Sequence, residues 1–461
     1  MTGEVVERDV RARAFDPGHR ASTVGLLALV TMFAFEAVAV SLAMPVVAAS
    51  LDGETLYPIA VIGLLTAAIV GMVVGGTWGD ARGPALPLLV GGLGFVAGLL
   101  VSGFAGSMEV FVLGRLGQGL GCGLALTAMY VAVGDAFPAA LRARVFSLFA
   151  TAWVLPSVVG PFIAGGLVDL VGWRSVFLVV AGFALASTLA VSVALRPHLT
   201  RRDLALVWGR RPLFALMAAS GAVALHLAGQ DTGTSQVLLL GGGLILLAVT
   251  LPSLLPRHTL WAEAGLPAVV AVRGLMGGAF ACVEMFLPLV LQRESGLTPT
   301  SSGLVLMVGA LGWAAGSTYS GRRATPDAYA HLLRAGTTAL VLGTLVGLAL
   351  VPVEQHSWPA AAVATVAFVL LGTGMGLSTP LLSTLALDLS AQGRQGEAGA
   401  AIQMSDSLGQ SVAAGLVGAV FARWFLIDHG TSYLSGLGAA VLLAVVATLV
   451  VGRATASTPR P

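Results

Sequence analysis

Residues 109–177 read EVFVLGRLGQGLGCGLALTAMYVAVGDAFPAALRARVFSLFATAWVLPSVVGPFIAGGLVDLVGWRSVF, and the architecture turns on them. Two apolar runs of membrane-spanning length flank one short basic turn that holds Arg142 and Arg144. Each run carries features that bulk lipid would not select. The first contains Arg115, followed by Gln118, Gly119, Gly121 and Gly123. The second contains Gly160-Pro161, followed by Gly165-Gly166. A charge at bilayer depth costs about 2.5–3.5 kcal/mol on insertion scales, so Arg115 is expected to face a partner or a wet cavity. The glycines permit close helix contact. Pro161 deletes one backbone hydrogen bond and invites a bend.

Composition agrees. The chain is 57% hydrophobic and only 10% charged, against about 25% charged residues in soluble domains. Its mean hydropathy is +0.92. A soluble protein of this length could not hide so much apolar surface. The net charge of +2 is too small to imply nucleic acid, and every basic residue is arginine. Cys122 and Cys282 lie in apolar spans of different halves, so neither a disulfide framework nor a metal site follows. There is no phosphate loop of the G-x-x-x-x-G-K-[ST] type, so no cofactor or nucleotide site is expected. No Ser-His-Asp or metal-ligand cluster points to an enzyme, and no loop is long enough for the output domain of a receptor. The fold class is all-α integral membrane.

Hydropathy gives fourteen candidate spans: roughly 22–47, 56–79, 86–106, 110–136, 145–170, 173–195, 212–229, 236–255, 266–291, 302–320, 332–352, 358–386, 398–425 and 432–452. Arginine placement tests the count. With the N-terminus inside, nineteen arginines fall in cytosolic segments, and only Arg174, Arg293 and Arg423 in outer turns. Arg115 and Arg273 lie within spans. This split places both termini in the cytoplasm. Ala48-Ala49-Ser50 resembles a signal-cleavage site, but the apolar run before it is too long for a signal peptide.

The order and spacing of several motifs support a family resemblance. Leu113-Gly114-Arg115-Leu116-Gly117-Gln118-Gly119-Leu120-Gly121 resembles the fourth-helix arginine motif of the major facilitator superfamily. Gly160-Pro161-Phe162-Ile163-Ala164-Gly165-Gly166 resembles its helix-five antiporter motif, with Pro156 where a glycine is common. Trp173-Arg174-Ser175-Val176-Phe177 is similar to the usual start of helix six. The turn Gly76-Thr77-Trp78-Gly79-Asp80-Ala81-Arg82-Gly83 resembles the loop after helix two, with Gly76, Asp80 and Gly83 in register. It departs at Pro84-Ala85, where basic residues are usual.

The resemblance implies two six-helix bundles around a central site, joined here by two extra linker spans that carry His226 and Asp231. The expected domains are a cytosolic tail 1–21, an N-terminal bundle 22–195, a linker 196–265, a C-terminal bundle 266–452 and a tail 453–461. The halves echo each other: Gly372-Thr373-Gly374-Met375-Gly376 is as glycine-dense as the fourth span. Six-two-six resembles the fourteen-span proton-linked drug exporters. That implies a multi-pass transporter of the cell membrane, with small molecules, protons and lipid as partners. The runner-up is a transporter of one specific metabolite, in either direction.

Site candidates follow from charge at depth and from the motifs. Glu36, Glu284 and Asp406 are acids within spans and candidate proton carriers, with Arg115 as the regulator of Glu36. The helical rise places Glu36 and Arg115 at nearly the same depth. Arg273, near the inner end of its span, is expected to snorkel to the cytosol. Asp80, with Asp135, Arg142 and Arg144, is expected to form an inner ion-pair gate. Gly160, Pro161, Gly165 and Gly166 are expected to form a bend and a close-packed seam against the partner half. Met32, Phe33, Trp153, Phe280, Met285, Trp313 and Met404 are candidate substrate contacts.

Overall fold

The computed structural model describes residues 14–195, 209–229, 233–351, 357–391, 393–424 and 429–456. Most of the N-terminal tail, Arg196, Arg201, Arg202, Asp231 and the last five residues lie outside them. Among the described residues there are fifteen α-helices, two 3-10 turns and no strand. The chain divides into two compact units: Met1–Ala219 with Ser390–Gln403, and Ser220–Leu389 with Met404–Pro461.

The first unit holds α1 (Arg20–Ser50), α2 (Tyr57–Arg82), α3 (Ala85–Gly103), α4 (Met108–Ala136), α5 (Ala139–Ala152), α6 (Val154–Val171) and α7 (Arg174–Leu195). Next come α8 (Arg211–Ala228), α9 (Thr234–Leu254), α10 (Leu266–Arg293), α11 (Pro299–Arg323) and α12 (Pro326–Leu348). The last are α13 (Ser357–Asp388), α14 (Gln395–Trp424) and α15 (His429–Thr455). By the unit boundaries, α8 and α14 each contribute their first turns to the first unit and the rest to the second.

The packing repeats. In the first unit α4 lies against both α2 and α3, and α7 against α1 and α3. In the second, α13 lies against both α11 and α12, and α15 against α10 and α12. Glycine makes this possible in lipid, where tight van der Waals packing has to substitute for a hydrophobic driving force between helices. Gly119 and Gly123 of α4 meet the α2 backbone at Leu64 and Ala68, while Gly121 meets α3. A Cβ on Gly121 would lie 2.6 Å from the Gly91 carbonyl oxygen. Gly372 and Gly376 of α13 meet α11 at Gly309 and Trp313, and a Cβ on Gly374 would lie 2.6 Å from the Gly336 oxygen of α12. Outward side chains such as Phe162 and Leu170 are 80% and 86% exposed, as suits contact with acyl chains.

The expected span 145–170 is two helices that part at Trp153. Pro156, in the first turn of α6, has no N–H to give the Ala152 carbonyl, and this is where the helical ladder fails. Pro161 lies inside α6, which ends at Gly172 with φ +98°, as α2 ends at Gly83 with φ +83°. Both turns need a conformation that side chains with a Cβ resist.

Twelve stretches of the described residues are long and apolar enough to cross a membrane, α5 and α6 together forming one. The expected spans 302–320 and 398–425 are present as α11 and α14 but are not among the twelve. Their length is sufficient, at 25 and 30 residues. Their composition sets them apart. α11 carries Ser317, Thr318, Ser320, Arg322 and Arg323, and α14 carries Gln403, Ser405, Asp406, Ser407 and Gln410.

Candidate functional site

In the first unit the polar residues of α4 converge with those of three neighbours. Glu36, in the middle of α1, is 2% exposed, and Arg115, in the second turn of α4, is 6% exposed. Arg115 Nη1 donates to Glu36 Oε1 in a buried ion pair. The same nitrogen donates to Gln118 Oε1 at 2.7 Å, and Nε donates to the Ala60 carbonyl of α2 at 3.2 Å. Gln118, fully buried, passes the network to α3 through its Nε2, which donates to Ser102 Oγ at 2.8 Å and to the Gly98 carbonyl at 3.3 Å. Gly98 and Gly114 allow this, because side chains there would strike Gln118 and Ser102. Four helices are thus tied through one guanidinium and one amide. Charge-assisted bonds of this kind are the strong ones.

A second pair lies in the second unit. Arg273 Nη2 donates to Asp406 Oδ2 at 2.8 Å and Nη1 to Thr379 Oγ1 of α13 at 2.6 Å. Arg273 does not reach out to the interface as expected; it is 7% exposed. A carboxylate within reach offers more than a long path to water. Ser405, beside Asp406, donates to the Val270 carbonyl of α10 at 2.8 Å. Gly274 and Gly277 bring α10 close enough, since a Cβ on Gly274 would lie 2.9 Å from the Ser405 carbonyl oxygen. Glu284, the third acid, is exposed and has no ion pair or hydrogen bond among the described residues.

Asp80, in the last turn of α2, is 8% exposed. Its two oxygens accept the backbone N–H groups of Gly396 at 2.7 Å and Glu397 at 2.8 Å, in the first turn of α14. A carboxylate there satisfies two otherwise unpaired amides and sits favourably on the helix dipole. Gly76 makes room one turn earlier: a Cβ on it would lie 2.6 Å from the Gly396 oxygen. Arg211 and Arg394 both pair with the Glu397 carboxylate. Arg142, half-buried, donates to the Gly134 carbonyl at 2.9 Å, next to Asp135 at the end of α4. Arg144 is half-buried on α5. Tyr130 donates its hydroxyl to Gln403 Oε1 at 2.9 Å. The roles of Arg211, Glu397, Tyr130 and Gln403 escaped the sequence reading. The only hint was Arg394 three residues before Glu397 at a helix start, a spacing that favours pairing.

The remaining motif residues are placed as follows. Gly160 faces Val38 of α1 and Gly165 faces Leu42 of α1, while Gly166 borders open space. Phe33 and Met404 are core residues, 5% and 1% exposed, and Phe33 stacks edge-on against Phe95 of α3 at 4.9 Å. Trp153 and Met285 are exposed; Met32, Phe280 and Trp313 are half-buried.

Two repeated helical bundles, most of their helices apolar enough to cross a membrane and each holding a buried arginine–carboxylate pair, are the architecture of a multi-pass membrane protein. The family model described as Major Facilitator Superfamily matches residues 24–414, and the chain belongs to that superfamily. It is 23% identical over 379 residues to "Multidrug resistance protein 3" of Bacillus subtilis (strain 168), covering 79% of this chain and 72% of the relative. It is 28% identical over 425 residues to the "Probable actinorhodin transporter" of Streptomyces coelicolor, covering 83% of this chain and 68% of the relative. Among solved structures, the human organic anion transporter MFSD10 (TETRAN) superposes with a TM-score of 0.67 at 15% identity, over 95% of this chain and all of that one. The proton:xylose symporter XylE gives 0.65 at 16% identity, over 92% and 94%. At these identities the solved structures establish the fold alone.

Proposed function

We propose that this transporter exports amphipathic small molecules in exchange for protons, by alternating access. The observation that carries the reading is the buried Glu36–Arg115 pair and its extension through Gln118. In this mechanism Glu36 is the proton carrier and Arg115 its regulator. A guanidinium in contact favours the ionised carboxylate; a carboxylate left alone in a low-dielectric site favours the proton. Separation and return of α1 and α4 would then load and release one proton per cycle. Asp406 with Arg273 is the next candidate. Asp80 and the charges of Arg142, Arg144 and Asp135 act as the cytosolic gate, and α11 and α14 complete fourteen spans in a six-two-six order. The domains are those expected from the sequence, with both termini in the cytoplasm and the chain in the cell membrane among its lipids. Relatives whose names record multidrug resistance or multidrug efflux support a broad substrate range. A relative named for actinorhodin supports the second reading, a transporter of one specific metabolite.

Proteoliposomes with an imposed pH gradient test the mechanism. Glu36→Gln should abolish gradient-driven accumulation while keeping substrate binding, which loses its pH dependence. Accumulation against the gradient by Glu36→Gln would move the proton to Asp406.

A further inference from the structure

The three acids within the long helices have different surroundings. Glu36 and Asp406 each face a guanidinium. Glu284 faces none among the described residues, yet its side chain is exposed. An exposed carboxylate at spanning depth is untenable against acyl chains, so it needs water or a cation in front of it.

What lies beside Glu284 narrows the choice. Phe280 is one turn earlier on α10, and the i, i+4 spacing puts the two on one face, roughly 6 Å apart along the axis. Phe280 packs edge-to-face on Trp313 of α11, with centroids 5.4 Å apart and planes at 81°. The Trp313 backbone is closely packed against α13, where a Cβ on Gly372 or Gly376 would strike it. Its indole Nε1 is a buried donor with no acceptor among the described residues. Met285, next to Glu284, is 40% exposed.

A proton alone would satisfy Glu284 but would make no use of the two rings. A metal ion would need more oxygen ligands than one carboxylate, and no group of three or more ligating side chains occurs among the described residues. A bulky organic cation would use every part. Its charge would meet Glu284, its apolar flank the two rings, whose faces attract cations, and its irregular edge the soft Met285. The unsatisfied indole N–H offers one donor to a ligand oxygen. We propose that Glu284, Phe280 and Trp313 form a subsite, within the second unit, that selects lipophilic organic cations. This rests on the transporter reading above and assigns Glu284 to the substrate, not to the coupling proton.

The test uses the purified full chain and three probes of similar shape: tetraphenylphosphonium, neutral triphenylphosphine oxide and anionic tetraphenylborate. The wild type should bind the phosphonium. Glu284→Gln should weaken that binding about tenfold or more, in the range of a desolvated charge contact, and leave the neutral probe unchanged. Glu284→Asp should stay within about threefold of the wild type, and Trp313→Phe should lose less than Trp313→Leu. Should Glu284→Gln fail to fold, the Trp313 pair gives the same reading. Phosphonium binding by Glu284→Gln and Trp313→Leu at wild-type strength, or a wild-type preference for the borate, would overturn the subsite. Proteoliposomes that accumulate the borate or the oxide but not the phosphonium would overturn it and leave transport standing. Proteoliposomes that accumulate none of the three would deny the subsite and the broad substrate range together, leaving the transporter of one specific metabolite.

Discussion

The two units solve the same packing problem and place their charges differently. In each, one glycine-dense helix, α4 or α13, is pressed against two neighbours at backbone distance. In the first unit that helix itself carries the guanidinium, and Arg115 binds Glu36, Gln118 and a carbonyl of α2. In the second, α13 supplies only Thr379, and the guanidinium comes from α10. The first pair is also the drier: the Glu36 side chain is 3% exposed and that of Asp406 is 15%. The glycine scaffold therefore appears twice with different chemistry on it. Packing and charge placement are separable, and the second can change while the first is kept.

The sharpest break would come from the shared scaffold. Gly119→Val and Gly372→Val put a side chain into the backbone of a neighbouring helix, so both should abolish folded protein on size-exclusion chromatography. Survival of either would show that the two scaffolds are not equivalent. The charges come next. Arg115→Leu strands a buried carboxylate, at a cost of about 3–5 kcal/mol, and should lower the melting temperature more than Arg273→Leu does. Equal losses would remove the contrast between the dry and the wetter pair. Asp80→Asn keeps one acceptor for α14 and loses the charge, so a cost of about 1 kcal/mol is expected; transport in proteoliposomes should slow severalfold, not stop. The smallest effect belongs to the motif in α6. Gly166→Ala enters open space and should transport at the wild-type rate, whereas Gly160→Leu should be impaired, because Val38 stands against it.

How far the sequence could be read depends on what each residue reports. Apolar length located most of the helices but not the parting of α5 from α6, and helical rise placed Glu36 and Arg115 at one depth, which their ion pair satisfies. Depth is a property of one chain segment. Azimuth and partner are not, and those were the misses. Arg273 looked free to snorkel because nothing local showed that Asp406, 133 residues away, would stand opposite. That Asp80 would also cap α14 could not be seen, because side chains are visible in a sequence and the backbone amides of Gly396 and Glu397 are not. Pro161 drew attention as the site of a bend, and the outright break at Trp153, one turn ahead of Pro156, went unforeseen. A proline inside a continuous helix and a proline in a first turn look alike until the donor each one lacks is traced.

The cap on α14 also has a kinetic meaning. The amide hydrogens of Gly396 and Glu397 are held by a side chain that belongs to another helix, not by their own helical ladder. They can trade for deuterium only when Asp80 lets go. Peptide-level deuterium uptake over the start of α14 is thus a native clock for the release of that contact. It runs without a label or a substrate, and it can be read in the wild-type chain as it stands.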